Sequence, residues 1–208
     1  SSQYYICVKG QIMRFLAVVL AVLVLASCGG DKSIRGDQFF KNGQYEKAVE
    51  AYQKTLETNP TDITSLYNRG RAYEELNQFS QAEQDFLKIL EIDPKHLNAY
   101  LSLSKLYYRQ EAYSKAVIFA DKALDLNENS AQGHFLVARA KHQLGYVDSA
   151  LESYSLAINL NKNFGEAYLY RGALRVHKKQ SRSACEDFAK AVNLDVSEAK
   201  TIQKKYCK

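Results

Sequence analysis

Three cations recur at one spacing in this chain. Arg71, Lys105 and Arg139 stand 34 positions apart, in a register that Asp37 opens and Ala173 closes. One helical turn further on, Arg109 and His177 share a second register; Tyr67, Leu101, Phe135 and Leu169 share a third, and Phe40 and Tyr108 a fourth. An arginine grips a carboxylate through two parallel N–H bonds, and aromatic anchors carry much of an interface's energy. Such a set suits holding an acidic or carboxylate-ended segment. The competing expectation is a solvated face whose cations pair with Glu74, Glu75 and their neighbours. Other chemistry is poorly served. His96, His134, His142 and His177 lack zinc-ligand spacing. There is no glycine-rich phosphate loop after a strand, no Gly-x-Ser-x-Gly elbow and no His-Glu-x-x-His. Glu74–Glu75 and Glu186–Asp187 are sequence neighbours on helices and so do not face each other. No catalytic constellation, metal or cofactor is expected, and the protein is not read as an enzyme.

The same period of 34 governs the elements that must position these side chains. Ala48, Ala82, Ala116, Ala150 and Ala184 form one column. Gly36, Gly70, Ser104, Ala138 and Gly172 form a second, all small; Tyr52, Phe86, Ala120, Tyr154 and Phe188 a third; Leu56, Leu90, Leu124, Ile158 and Val192 a fourth. A fixed period over most of a chain marks a repeat architecture. In the stretch 63–96 the apolar residues follow helical spacing. Leu66, Tyr73 and Leu76 share a face of one helix, roughly 64–77. Ala82, Phe86, Ile89 and Leu90 share a face of a second, roughly 80–92. Ser80 with Glu83 forms a candidate capping box, and Ser114 and Asp148 occupy the same column as Ser80.

The period and the residues Gly70, Tyr73, Ala82, Phe86 and Pro94 resemble the tetratricopeptide repeat, a helix–turn–helix unit of 34 residues. Gly36, Phe39, Ala48, Tyr52 and Pro60 repeat the match in the first copy. The closing proline is replaced by Glu128, Lys162 and Val196 in the last three. The resemblance implies an all-α fold, a right-handed superhelical solenoid of five units: 29–62, 63–96, 97–130, 131–164 and 165–198. After it, 197–208 is expected to form a capping helix, with Ala199, Ile202 and Tyr206 as its apolar stripe. The resemblance also places the first helix of each unit on the concave face. Tyr67, Arg71, Lys105, Tyr108, Arg109, Phe135, Arg139 and His177 would then line a partner-binding groove. The lysine/asparagine pattern of the family's carboxylate clamp is not reproduced. The chain's end resembles that of other tetratricopeptide lipoproteins, in which a Cys–Cys clip joins the last repeat to the cap; Cys185 and Cys207 as a disulfide, or as two free thiols, both remain open.

Residues 1–12 read as an upstream extension, with translation expected to start at Met13. Met13-Arg14 opens a run of consecutive apolar residues, Phe15–Ala26, and Leu25-Ala26-Ser27-Cys28 closes it. This layout is that of a secretory signal, and its end resembles the bacterial lipoprotein signal, in which Cys28 becomes the lipidated first residue. Residues 28–34 would be a short tether to a membrane. Gly29 after the cysteine resembles the outer-membrane default, so the expected place is the outer membrane, facing the periplasm or the exterior. The net charge of +5 is too mild to suggest nucleic acid. Charge is concentrated at the end: Arg171–Lys208 holds ten Lys and Arg against four Asp and Glu. This predicts a basic cap, solvated or facing an acidic surface. The function expected is a membrane-anchored scaffold that binds a protein partner. A self-associating solenoid and an accessory to an envelope hydrolase are the alternatives.

Overall fold

The computed structural model describes residues 30–207, with side chains from Arg35 onward. The expected extension 1–12, signal 13–27 and lipidated Cys28 lie outside the described residues. What is described is all-helical. The helices are α1 (Gly30–Lys41), α2 (Tyr45–Thr58), α3 (Ile63–Glu75), α4 (Phe79–Ile92), α5 (Leu97–Arg109), α6 (Tyr113–Leu126), α7 (Ala131–Gln143), α8 (Val147–Leu160), α9 (Gly165–His177), α10 (Ser181–Asn193) and α11 (Ala199–Tyr206). Residues 30–34, expected to be tether, belong to α1. The chain forms two compact units that meet at Asp85 and Phe86, within α4.

The turns explain why the helices come in pairs. Gly43, Asn77, Glu111, Gly145 and Lys179 recur at the repeat period, and all five have positive φ. Each ends the first helix of its unit in a left-handed residue. The next N–H then bonds back to a carbonyl five residues earlier: Gln44 to Phe39, Gln78 to Tyr73, Ala112 to Tyr107, Tyr146 to Lys141, Gln180 to Arg175, at 2.9 Å each. This closure satisfies carbonyls that a helix end leaves open. It also starts the second helix early. Ser80, Ser114 and Asp148, expected as caps, lie one residue inside α4, α6 and α8. Ala112 and Tyr146 stand at the cap positions of α6 and α8 and make no side-chain cap bond.

Side-chain caps occur at the other turn instead. Asp62 accepts from the Ser65 N–H at 3.1 Å, His96 Nδ1 from Ala99 at 3.1 Å, and Ser130 from Gly133 at 3.0 Å. In the turns between repeats Asp93, Asn127 and Asn161 accept from the N–H two residues on, at 3.0–3.1 Å. Such side-chain turns mimic a backbone turn. They hold the chain reversal where Glu128 and Lys162 replace the proline.

Within a repeat the two helices run antiparallel. Arg175 reaches Ser183 and Asp187, and Arg171, one turn earlier, reaches Asp187. The small column lets these helices approach. A Cβ on Gly36 would stand 2.6 Å from the Tyr52 ring, and one on Gly172 would stand 2.6 Å from the Phe188 ring. The third repeat inverts the volumes: Ser104 is the larger partner, Ala120 the smaller, and the Ser104 hydroxyl donates to the Ala116 carbonyl at 2.8 Å.

In the first unit Ala48, Tyr52 and Ala72 form the core, with Phe39, Phe40, Tyr45 and Val49 against it. In the second, one cluster runs from Phe135 and Ala138 through Tyr154, Tyr168 and Phe188 to Ala199 of α11. That contact makes α11 a cover for the last pair. Tyr206, expected on its apolar stripe, is exposed, and Lys205 lies 5.1 Å over its ring. A disulfide joins Cys185 of α10 to Cys207 at the end of α11, with a Cα–Cα distance of 5.7 Å.

Candidate functional site

Of the residues expected to line a groove, Tyr67 and Arg71 belong to the first unit. Tyr67 is half-buried on α3 and Arg71 is exposed, its guanidinium 4.8 Å over the Phe40 ring. Asp37, the one acid of the charged register, is committed locally. It accepts from the Tyr52 hydroxyl at 2.6 Å and from Asn68 at 3.0 Å. Burial, then Asp37 itself, pushes the Tyr52 phenol well above its ordinary pKa.

The second unit gathers most of the set. Lys105, Tyr108 and Arg109 on α5 and Arg139 on α7 line one hollow, with Glu111, Tyr113 and Leu136 completing it; its volume is about 350 Å³. Helical spacing puts Lys105, Tyr108 and Arg109 on neighbouring faces, and α7 packs against α5. The hollow thus has cations on both sides and an apolar wall of Tyr108, Tyr113 and Leu136. The Tyr108 and Tyr113 rings meet edge to face at 5.3 Å.

Arg139 is the centre of this site. Its guanidinium carbon lies 4.1 Å from the Tyr108 ring, 5.3 Å from Tyr170 and 5.7 Å from Phe135. Rings around a cation attract it through their electron-rich faces. They offer no acceptor. Among the described residues Arg139 has no hydrogen bond or ion pair, and its Nε is buried without a partner. So is the hydroxyl of Tyr154, which belongs to the same aromatic cluster: its ring is 5.9 Å from Phe135 and 6.3 Å from Tyr170. Burial drives the Tyr154 phenol strongly upward, opposed by Arg139. Arg71, Lys105 and Arg139 make no ion pair with a described carboxylate.

One expectation needs correction, and one residue lies outside this hollow. Phe135 is 2% exposed and packs on Tyr154, Phe164 and Tyr170, so it is the floor beneath Arg139 and not a contact surface. His177 is exposed at the end of α9 and does not line the hollow. Residues not singled out from the sequence also matter. Tyr113 shares a register with Tyr45 and Phe79, which could have flagged it. His142, half-buried on α7, has its pKa pushed down by burial and by the His177 charge. A recurring Arg–Asp pair, sixteen positions apart, was equally legible: Arg69–Asp85 and Arg171–Asp187.

Helix pairs with these turns, small-residue columns and a repeat of 34 define a tetratricopeptide-type solenoid. The chain belongs to the tetratricopeptide-repeat family: a model described as TPR repeat matches residues 36–77, and models described as tetratricopeptide repeat match 63–96, 97–130 and 131–164. Among solved structures, MamA from Desulfovibrio magneticus is 21% identical with a TM-score of 0.70, covering 81% of this chain and 98% of that one. A thermophilic TPR protein of Thermus thermophilus is 21% identical with a TM-score of 0.70, covering 86% and 98%. YrrB, described as a TPR protein with an unusual peptide-binding site, is 20% identical with a TM-score of 0.65, covering 90% and 97%. These likenesses show the fold alone. No curated protein sequence matches the chain.

Proposed function

We propose that this protein is a lipid-anchored interaction scaffold of a bacterial cell envelope, holding a segment of a protein partner against the hollow between α5 and α7. The observation that carries the reading is the hollow itself: Lys105, Arg109 and Arg139 beside an aromatic wall, with Arg139 lacking any described acceptor. It suits an acidic or carboxylate-ended partner. YrrB, of the same fold, is described as binding peptide. The anchor rests on the sequence around Cys28. A disulfide such as Cys185–Cys207 suits an oxidising compartment, and among the described residues no helix is long and apolar enough to cross a membrane. Binding would occur without chemistry on the partner, in a secretion, pilus, motility or outer-membrane assembly complex. Two measurements test the reading. Metabolic labelling with an alkynyl palmitate should mark the protein and should fail for Cys28→Ala; labelling of that variant removes the anchor. A photo-crosslinking residue at Gln110, exposed between the lining residues Arg109 and Glu111, should capture one discrete partner in cells, and capture of none removes the scaffold.

Self-association is a second reading. Ile118, Tyr146 and Leu156 of the second unit are 52%, 60% and 42% exposed, and such side chains suit contact between copies. Light scattering showing a monomer at all concentrations would remove it.

A further inference from the structure

The fold treats its inward arginines in two ways. Arg69 donates Nε and Nη to the two oxygens of Asp85 at 2.8 and 2.5 Å. Arg171 does the same to Asp187 at 3.0 and 2.7 Å, and Arg175 adds a third bond at 2.7 Å. Both carboxylates come from the second helix of the arginine's own repeat. Arg139 meets the rings of Tyr108, Phe135 and Tyr170 instead, and Tyr154, on the second helix of its repeat, is itself without a partner for its hydroxyl. The Arg139 Nε–H is buried with no partner among the described residues, which is costly. The register makes the difference plain: Tyr52, the counterpart of Tyr154 in the first repeat, donates its hydroxyl to Asp37, and Arg139 occupies the position of Asp37. In the fourth repeat the carboxylate of that pair is missing, and a hollow of about 350 Å³ opens beside it.

We propose that this hollow is a seat for one carboxylate of the bound segment. Arg139 is its fork and Lys105 its second charge, and an adjacent apolar side chain of the segment lies on Tyr108 and Tyr113. The proposal rests on the scaffold reading and sharpens it to a single position. The aromatic cage fixes the guanidinium plane, so little side-chain freedom is lost on binding. Among the described lining residues Glu111 is the one acid, and it disfavours a second carboxylate nearby. The seat therefore takes a lone acidic group beside an apolar one, and not a run of acids.

The chemistry is shared by a side-chain carboxylate and a chain terminus, so the test has three arms. The full chain, disulfide intact and ¹⁵N-labelled, is titrated with N-acetyl-Glu-Phe-amide, with N-acetyl-Gly-Phe bearing a free C-terminus, and with N-acetyl-Gln-Phe-amide. The signal followed is the Nε–H of Arg139, assigned by its loss in Arg139→Gln. At least one carboxylate probe should shift that signal, and whichever does identifies the source. The neutral probe should need about tenfold more to reach the same shift. Arg139→Lys, which keeps the charge without the fork, should weaken the carboxylate probes. Equal shifts from the neutral probe, or no shift from either carboxylate, overturn the seat. Cross-linking from Gln110 in cells, which leaves Lys105 and Arg139 in place, separates the two claims. A partner still captured by Arg139→Gln at wild-type yield would sink the carboxylate seat while leaving the scaffold standing.

Discussion

Arg139 and Arg171 come from successive repeats and stand in different registers, Arg139 aligning with Ala173 and Arg171 with Val137, and what each meets decides what each does. Arg171 meets Asp187, 2% exposed, on the facing helix, and with Arg175 it closes a buried network. Arg139 meets the rings of Tyr108, Phe135 and Tyr170 and no acceptor. The first arrangement holds α9 to α10. The second holds a charge ready and leaves its bonds to be made by something else. A repeat scaffold thus separates support from recognition by placing arginines at different registers of the same helix pair.

The sharpest way to break this comparison is to remove an acceptor. Asp187→Ala strands Arg171 and Arg175 in a buried site and should cost about 3–5 kcal/mol by urea unfolding. Arg139→Met removes an unmatched charge and should be neutral or stabilising. Equal losses from the two would erase the distinction. Next in size is the clip beside the Asp187 network. The pair Cys185→Ser with Cys207→Ser frees a loop of 22 residues and should lower stability by about 3 kcal/mol, with carboxylate binding at Arg139 unchanged. Smaller effects come from the left-handed turns that flank the two sites. Glu111 and Lys179 have φ of 60° and 58°, a conformation that disfavours side chains. Glu111→Gly and Lys179→Gly should each raise stability by about 0.5–1 kcal/mol. Only Glu111→Gly should also tighten an acidic probe.

The smallest effect lies between the two regions, where His142 of α7 feels His177 of α9. The folded state holds the His142 pKa below its ordinary value, so below that value the unfolded chain binds more protons. Stability from this site is full above about pH 6.5 and falls as the solution is acidified. His142→Gln should flatten the melting temperature between about pH 5 and 7.5, and His177→Gln should flatten it in part.

Much of the scaffold was legible because packing repeats with the sequence. Gly36 and Gly172 face aromatic rings at the same register, and any chain needing those helices that close must place a small residue there. The caps were not legible. Ser80, Ser114 and Asp148 carry good capping side chains, yet the turns at Asn77, Glu111 and Gly145 close through backbone bonds and place them inside the helix. The cap column at Asp62, His96 and Ser130 mixes three residue types, so no single preference marks it. At the site, the register of Arg71, Lys105 and Arg139 was visible as a row of equals.

By itself the sequence determined the helix pair, its period, its small-residue contacts and which positions carry charge, because those follow from spacing along one helix and its neighbour. The tertiary structure alone decided what each charge meets. It put Asp187 against Arg171, packed Phe135 beneath Arg139 out of solvent, and brought Cys207 to 5.7 Å from Cys185 between Cα atoms. The cost of an unmatched charge depends on burial and on partners far along the chain, and neither exists until the helices have packed.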